Sequence, residues 1–501
     1  MNKTKLQHLK ELVYEINDIN MAAAVLGWDQ ETYMPQGGIN DRADQLSTLS
    51  KISHEKFTTK EIGDLIGELK SEIPDMDDES DDVRLIRVLD RNYKKSVKVP
   101  ATLVSEMSKA ASLGQQAWAE AKTASDFLKF KPHLQKLVEL KKEYAKIFAP
   151  YDSIYDPLLD DFEPGLKTSE VKSIFNELRP HQVNLIKRIA EKKEVDNSFL
   201  FNDYDESKQW SLGEKAITKF GYDWTRGRQD RSTHPFSTNF GIDDSRITTR
   251  VTKNYLPTAL FGTFHESGHA MYEQGVSQSL RRTPLARGAS LAIHESQSRL
   301  WENIIGRSKA FWKYFYGELQ KSFPENLSSV SLDNFYRGIN KVKPSLVRVE
   351  ADEATYNLHI MLRLEIEIGL MEGTMDVADL PSIWNSRMGE FLGIRPQKDS
   401  DGVLQDIHWS MGAIGYFSTY ALGNLVSAQL WECVTKEIPD ISMQIEKGEF
   451  SALLNWLRRN IHQHGAKFEP QELIERVTGS KITPKPYLNY LNSKYSEIYD
   501  L

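Results

Sequence analysis

Apolar residues recur three and four positions apart along most of the chain, with charged residues filling the intervals. That spacing predicts helices with one buried face. DFLKFKPHLQKLVELKKEYAKIFAP, ending at Pro150, is one such stretch, with Pro132 as its start or a kink. SALLNWLRRNIHQHG, from Ser451, is another, and Gly465 is placed to stop it. The first twenty residues, MNKTKLQHLKELVYEINDIN, read as an amphipathic helix. One region breaks the pattern. DRSTHPFSTNFGIDDSRITTRV, Asp230 to Val251, is rich in Ser, Thr, Gly and β-branched residues. It predicts a loop and two short strands, with a hairpin around Gly241–Asp244, and we assign a small β element to 230–255. EIPDMDDESDD, Glu72 to Asp82, reads as an acidic surface loop. The fold class is therefore all-α, mostly helical, with one small β element.

Composition narrows the function classes. The chain has 501 residues, a net charge of −8 and 63 basic against 71 acidic residues. No dense basic block is present, which argues against nucleic acid as a partner. No run of 18 apolar residues occurs, so no membrane span is expected. The N-terminus lacks an uninterrupted apolar stretch and does not read as a signal peptide. Cys433 is the lone cysteine, which excludes an intrachain disulfide and points to a reduced, cytoplasmic protein.

The β element leads straight into PTALFGTFHESGHAMYEQG, Pro257 to Gly275. Proline suits a first helical turn and glycine the position after the last. Phe261, Phe264, Gly268, Met271 and Tyr272 trace an apolar face. His265 and His269 stand four apart beside it, so both imidazoles point the same way and can grip one ion. Glu266 is displaced by one residue and can reach a water on that ion without being a ligand. Gly268 costs about 1 kcal/mol inside a helix relative to Ala, which is tolerable where another element must approach closely.

A third protein ligand must come from elsewhere. The version of this motif with a following glycine and histidine is excluded, because those places hold Tyr272 and Gly275. The other common solution takes a glutamate from a second helix. SLAIHESQSRLWENIIG, Ser290 to Gly306, has a serine start and a glycine stop, with Leu291, His294, Trp301 and Ile305 as its expected buried stripe. Glu295 lies one residue off that stripe. Glu302, two turns along on a similar face, is the rival. Two histidines and a carboxylate leave the fourth position open, as in a catalytic rather than a structural site.

These residues sit within a larger ordered set: HPF at His234–Phe236, DSRIT at Asp244–Thr248, HESGH at His265–His269, HESQ at His294–Gln297, VRVEAD at Val347–Asp352 and GVLQDIHW at Gly402–Trp409, with WDQETYMP from Trp28. Together they resemble the carboxypeptidase Taq family of zinc metallocarboxypeptidases over essentially the whole chain. One departure is Val347, where the family more often has Ile or Asn. The resemblance implies a single helical domain over 1–501, with two lobes flanking a deep central groove similar to that of angiotensin-converting enzyme and neurolysin. It also implies a homodimer that removes residues stepwise from the C-termini of peptides with broad specificity.

The resemblance assigns roles to named residues. His265, His269 and Glu295 hold one divalent metal, zinc first, with cobalt or manganese as substitutes. Glu266 is the general base and then returns the proton to the leaving amine. Tyr420 is the expected oxyanion donor with Tyr416 in reserve, and His408 contacts the substrate or transition state. His234 approaches the substrate end. A terminal carboxylate calls for an arginine fork: Arg348 is the first choice, followed by Arg246 and Arg250, although a structural ion pair competes for each, especially Arg246 beside Asp244. Gln405 and Asp406 are expected to orient these neighbours. Two alternatives share the sequence features. One is a groove oligopeptidase or peptidyl-dipeptidase; the other is a non-catalytic peptide-binding protein, against which Glu266 argues.

Overall fold

The computed structural model describes residues 1–75 and 77–501; Met76, within the acidic stretch, lies outside the described residues. Helices dominate from end to end. The first spans Lys3–Thr32 and is capped by Asn2, whose side chain accepts from the backbone N–H groups of Thr4 and Lys5. Pro132 lies inside the helix Phe127–Lys146, in the second turn after its Asp126 cap. Ser451–Asn460 is helical, and the chain turns at Gly465 with φ 50°.

The β element has three strands where the sequence suggested two. β1 is Gln229–Arg231, β2 Ser237–Asn239 and β3 Ser245–Thr249. β2 and β3 form the expected antiparallel hairpin, closed at Phe240 and Asp244. β1 lies parallel to the other edge of β3, pairing Asp230 with Thr248. β1 was not legible because its three polar residues carry no alternation; pairing with β3 creates it. The strands end at Thr249, so 250–255 is loop leading to the next helix.

That helix, Leu256–Gln274, is the HESGH helix. The sheet is bonded to it at both ends. Thr249 and Gln229 reach the Thr263 hydroxyl at 2.9 and 3.1 Å, and the Asn239 amide donates to Glu273 at 2.8 Å. All five residues of its expected apolar face are buried. Gly268 meets the close approach anticipated for it: a Cβ there would lie 2.7 Å from the carbonyl oxygen of Gln297 and the Cα of Ser298.

Gln297 and Ser298 belong to the HESQ helix, Leu291–Arg299, which starts on the Ser290 side-chain cap and runs on as a π-helical turn, Leu300–Ile305. Its buried surface differs from the expected stripe. Leu291 is 37% exposed, and Ala292, Ile293, Glu295, Ser296, Gln297 and Ser298 are buried. The HESGH helix packs on one side and the helix Ser418–Glu437 on the other, so a single stripe cannot describe it. The π turn also shifts the phase beyond Arg299.

Among the described residues, buried apolar side chains form two clusters. The larger runs from Ala121 to Tyr499 and surrounds these helices. The smaller joins the N-terminal helices, through Leu9, Ile62 and Leu89, to Ile242, Val276, Leu280 and Leu285. Polar ties join the N-terminal helices to the rest. The Arg228 guanidinium lies 5.3 Å from the Trp28 ring centroid, and Tyr33 hydrogen-bonds Asp230. The acidic stretch is not simply solvated. Asp81 bonds Lys467 at 2.8 Å and Glu79 bonds Arg476 at 2.6 Å, while Arg84 forks onto Glu472 with two 3.0 Å bonds.

Candidate metal centre

The HESGH and HESQ helices bring His265, His269 and Glu295 together, with one donor atom from each within 4.8 Å of the others. Glu295 Oε2 lies 3.7 Å from His265 Nε2 and 3.5 Å from His269 Nε2. Donors bound 2.0–2.2 Å from a tetrahedral ion stand about 3.3–3.6 Å apart. Two imidazoles and a carboxylate oxygen at this spacing fit a divalent ion with little rearrangement.

Each donor is gripped from behind. His265 Nδ1 is 2.9 Å from Glu302 Oε2. His269 Nδ1 faces the His294 carbonyl at 3.0 Å and His294 Nδ1 at 2.6 Å, while His294 Nε2 meets Glu273 at 2.7 Å. Arg299 Nε donates to Glu295 Oε1 at 2.7 Å. Glu302, the rival third ligand, therefore sits on the rear nitrogen of His265 rather than among the converging donors. Gly423 on the helix Ser418–Glu437 makes the packing possible, since a Cβ there would lie 2.6 Å from Glu295 Cβ and Cγ.

Electrostatics follow from burial and these partners. Burial, and then the nearby His294, pushes the His269 pKa down to about 3, leaving a neutral imidazole. For His265 burial acts downward but the charges of Glu295 and Glu302 win, giving about 8. Burial favours the neutral form of Glu295, yet Arg299 and His265 overcome it and hold the carboxyl well below its usual range. Glu266 is 6% exposed, and burial raises its pKa to about 7.

A second cluster adjoins the first through Tyr356. The Arg299 guanidinium lies 4.5 Å from the Tyr356 ring centroid, and Arg348 Nη1 donates to the Tyr356 hydroxyl at 2.8 Å. Arg348 Nε and Nη2 donate to Asp406 Oδ1 at 3.0 and 2.8 Å. Three of its five N–H groups are thus used and two remain. Asp406 also pairs with the buried Arg363, and Gln405 accepts from the Arg348 backbone and the Arg363 side chain, each at 2.8 Å. His408 Nε2 is 3.3 Å from the Tyr420 hydroxyl. Burial, reinforced by Arg348, lowers the His408 pKa to about 4, so its ring is neutral near pH 7. Tyr416 and Tyr420 pack with ring centroids 5.3 Å apart.

The other expected residues lie outside these clusters. Arg246 is forked onto Asp244 with two 2.8 Å bonds and lies 4.6 and 4.8 Å from the Trp28 and Phe240 ring centroids, a structural clamp. Arg250 is exposed and has no ion-pair partner among the described residues. His234 is exposed in the turn between β1 and β2; the adjoining Pro235 packs 4.0 Å from a Cβ built on Gly262, one turn before His265. Sequence reasoning passed over Arg299, Glu273, Tyr356, Arg363 and Gly423. Arg299 carried a readable signal, standing four after Glu295 and three before Glu302. The others depend on contacts between distant segments.

Known proteins bear on what this geometry is for. The family model described as carboxypeptidase Taq (M32) metallopeptidase matches residues 8–495. Carboxypeptidase 1 of Bacillus subtilis is 38% identical over 490 residues, covering 98% of this chain and 97% of its own. Thermostable carboxypeptidase 1 of Thermus thermophilus is 38% identical over 503 residues, covering 98% of each. The crystal structure of the M32 carboxypeptidase from Deinococcus radiodurans superposes with a TM-score of 0.97 at 39% identity, over 100% of both chains. With agreement along its full length in sequence and in fold, the chain belongs to the carboxypeptidase Taq (M32) family and is a metallocarboxypeptidase, a hydrolase of peptides.

Proposed function

We propose that the enzyme releases single amino acids in sequence from peptide C-termini, using one divalent ion, zinc, held by His265, His269 and Glu295. The observation that carries the site assignment is the convergence of these three donors beside the buried Glu266. An ion in that position supplies Lewis acidity and an activated water near neutral pH.

The chain's own residues do the rest. The Glu266 carboxylate accepts a proton from the attacking water as the new C–O bond forms, then passes it to the leaving nitrogen as the C–N bond breaks. Tyr420 donates to the oxyanion, with the neutral His408 as its neighbour and Tyr416 behind it. Arg348 receives the terminal carboxylate on its two remaining N–H groups. Asp406 and Gln405 fix its orientation. Arg363 keeps the Asp406 charge from fully cancelling that of Arg348. Arg250 and His234 serve the more exposed substrate end. The peptide lies in a groove between a lobe built on the N-terminal helices and a lobe built on the larger cluster.

An N-blocked tetrapeptide incubated with and without chelator tests this reading. Single residues lost stepwise, only with metal present, are expected; dipeptides or internal fragments would assign the site to a groove oligopeptidase instead. Glu266→Gln should retain its metal and lose at least about 100-fold in kcat; unchanged kcat would remove Glu266 from the mechanism. The homodimer implied by the resemblance and the cytoplasmic location expected from the lone cysteine are checked by sedimentation velocity and cell fractionation. No helix among the described residues is long and apolar enough to cross a membrane.

A further inference from the structure

Arg299 occupies a place that no role above requires. It touches neither the peptide-binding residues nor the converging imidazoles. Its Nε donates to Glu295 Oε1 at 2.7 Å and its Nη1 to Glu302 Oε2 at 3.0 Å. That same Glu302 oxygen lies 2.9 Å from His265 Nδ1. The four side chains form a closed ring: His265 to Glu302, Glu302 to Arg299, Arg299 to Glu295, and Glu295 Oε2 back towards His265 Nε2 at 3.7 Å. The Arg299 side chain is only 13% exposed and is backed by the Tyr356 ring. It therefore cannot swing away without taking a charge-assisted bond from each of two buried carboxylates.

A carboxylate can bind a metal through one oxygen or two. Here Oε1 of Glu295 is held by a charge-assisted bond, and only Oε2 faces the two imidazoles. We propose that Arg299 is a positioning residue that sets the denticity of Glu295: by holding Oε1 it keeps the glutamate a one-oxygen ligand. This preserves the open fourth position and biases the site towards ions that accept small, tetrahedral coordination over those that prefer five or six oxygens. The inference rests on the metal assignment for His265, His269 and Glu295. Lysine could match the charge of Arg299 but not its fork, so it could not hold both glutamates in this geometry.

The test uses the full-length enzyme loaded with zinc, cobalt or manganese alone. X-ray absorption on the zinc-loaded wild type should show four N/O neighbours at about 2.0–2.1 Å. Two Glu295 oxygens on the metal would overturn the proposal whatever any variant does. In Arg299→Gln and Arg299→Lys, the intense visible band of four-coordinate cobalt should weaken. Zinc affinity, from chelator competition, should fall about 10–100-fold, while manganese affinity falls less, so the manganese-to-zinc preference rises. A folded variant with unchanged cobalt spectrum and unchanged preference would overturn it, even if its melting temperature drops, because a purely structural Arg299 would change stability alone. Failure of the underlying metal assignment looks different: wild type would bind no stoichiometric metal, or His269→Ala would bind it as well as wild type.

Discussion

At the scale of single residues, every candidate ligand has a partner that fixes its orientation. His265 has Glu302, His269 has the His294 carbonyl, and Glu295 has Arg299. These partners determine which ring nitrogen faces forward and which carboxylate oxygen is free. Glu302→Ala should lower zinc affinity about 10–100-fold without abolishing binding, since it removes an orienting group; loss of all binding would make Glu302 a ligand. Part of this was legible. The histidine pair and Glu266 follow from helical spacing alone. Glu295 and Glu302 stand seven apart on similar faces, so helical spacing nominates both and only the HESQ resemblance favours Glu295; the pairing of His265, from another helix, with Glu302 is not written in local sequence.

At the scale of elements, close approach is the controlling feature. Glycines at 268 and 423 let neighbouring helices pack against the HESQ helix from two sides. Gly423→Ala should cost about 1–3 kcal/mol in unfolding free energy by overpacking and should weaken metal binding, because the displaced atoms are those of Glu295. Denaturant titration and chelator competition on one sample would check both effects. Glu163 supplies an element-scale pH dependence. It is 1% exposed at the start of the HESQ helix, where its Oε1 accepts from the Ala292 N–H at 2.5 Å. Burial raises its pKa from 4.5 to about 8. Between those values the folded state holds a proton that the unfolded state has lost. Stability should therefore fall as pH rises from about 4.5 to 8 and level off above. Glu163→Gln should flatten that fall, with a gain over wild type at pH 8 relative to pH 5 on the order of a few kcal/mol. Equal pH profiles for the two proteins would show that Glu163 is ionised when folded.

At the scale of the whole molecule, the N-terminal helices share a small apolar cluster with Ile242, Val276, Leu280 and Leu285, and charges and ring faces add to that tie. Trp28 and Tyr33, from WDQETYMP, meet Arg228, just before β1, and Trp28 also meets Arg246 on β3, while Asp81 and Glu79 meet Lys467 and Arg476. Cation–π contacts contribute about 0.5–2 kcal/mol each. Trp28→Ala should speed hydrogen exchange in Lys3–Thr32 and in β1–β3 while leaving the HESGH helix protected. Uniformly faster exchange would mean that the two clusters unfold as one unit. The helical class and the hairpin were legible because both are written in local periodicity. The docking of the acidic stretch was not, because its partners lie nearly 400 positions away. The larger cluster encloses the HESGH helix, so metal removal should lower the melting temperature of the main body, with little change in exchange of the N-terminal helices.

The π-helical turn at Leu300–Ile305, closed by the Gly306 N–H on the Trp301 carbonyl at 2.9 Å, has a consequence for chain length. A turn closed five residues back holds one residue more than an ordinary helical turn. Excising one residue among 303–305 would restore a regular backbone, and by local criteria the chain would be better formed. It would also rotate everything downstream of Glu302, including Arg307, whose guanidinium lies 3.8 Å from the Phe261 ring centroid on the HESGH helix. The wide turn thus sets how Arg307 faces the HESGH helix. Shortening that segment should yield a protein with a sounder helix and a poorer enzyme.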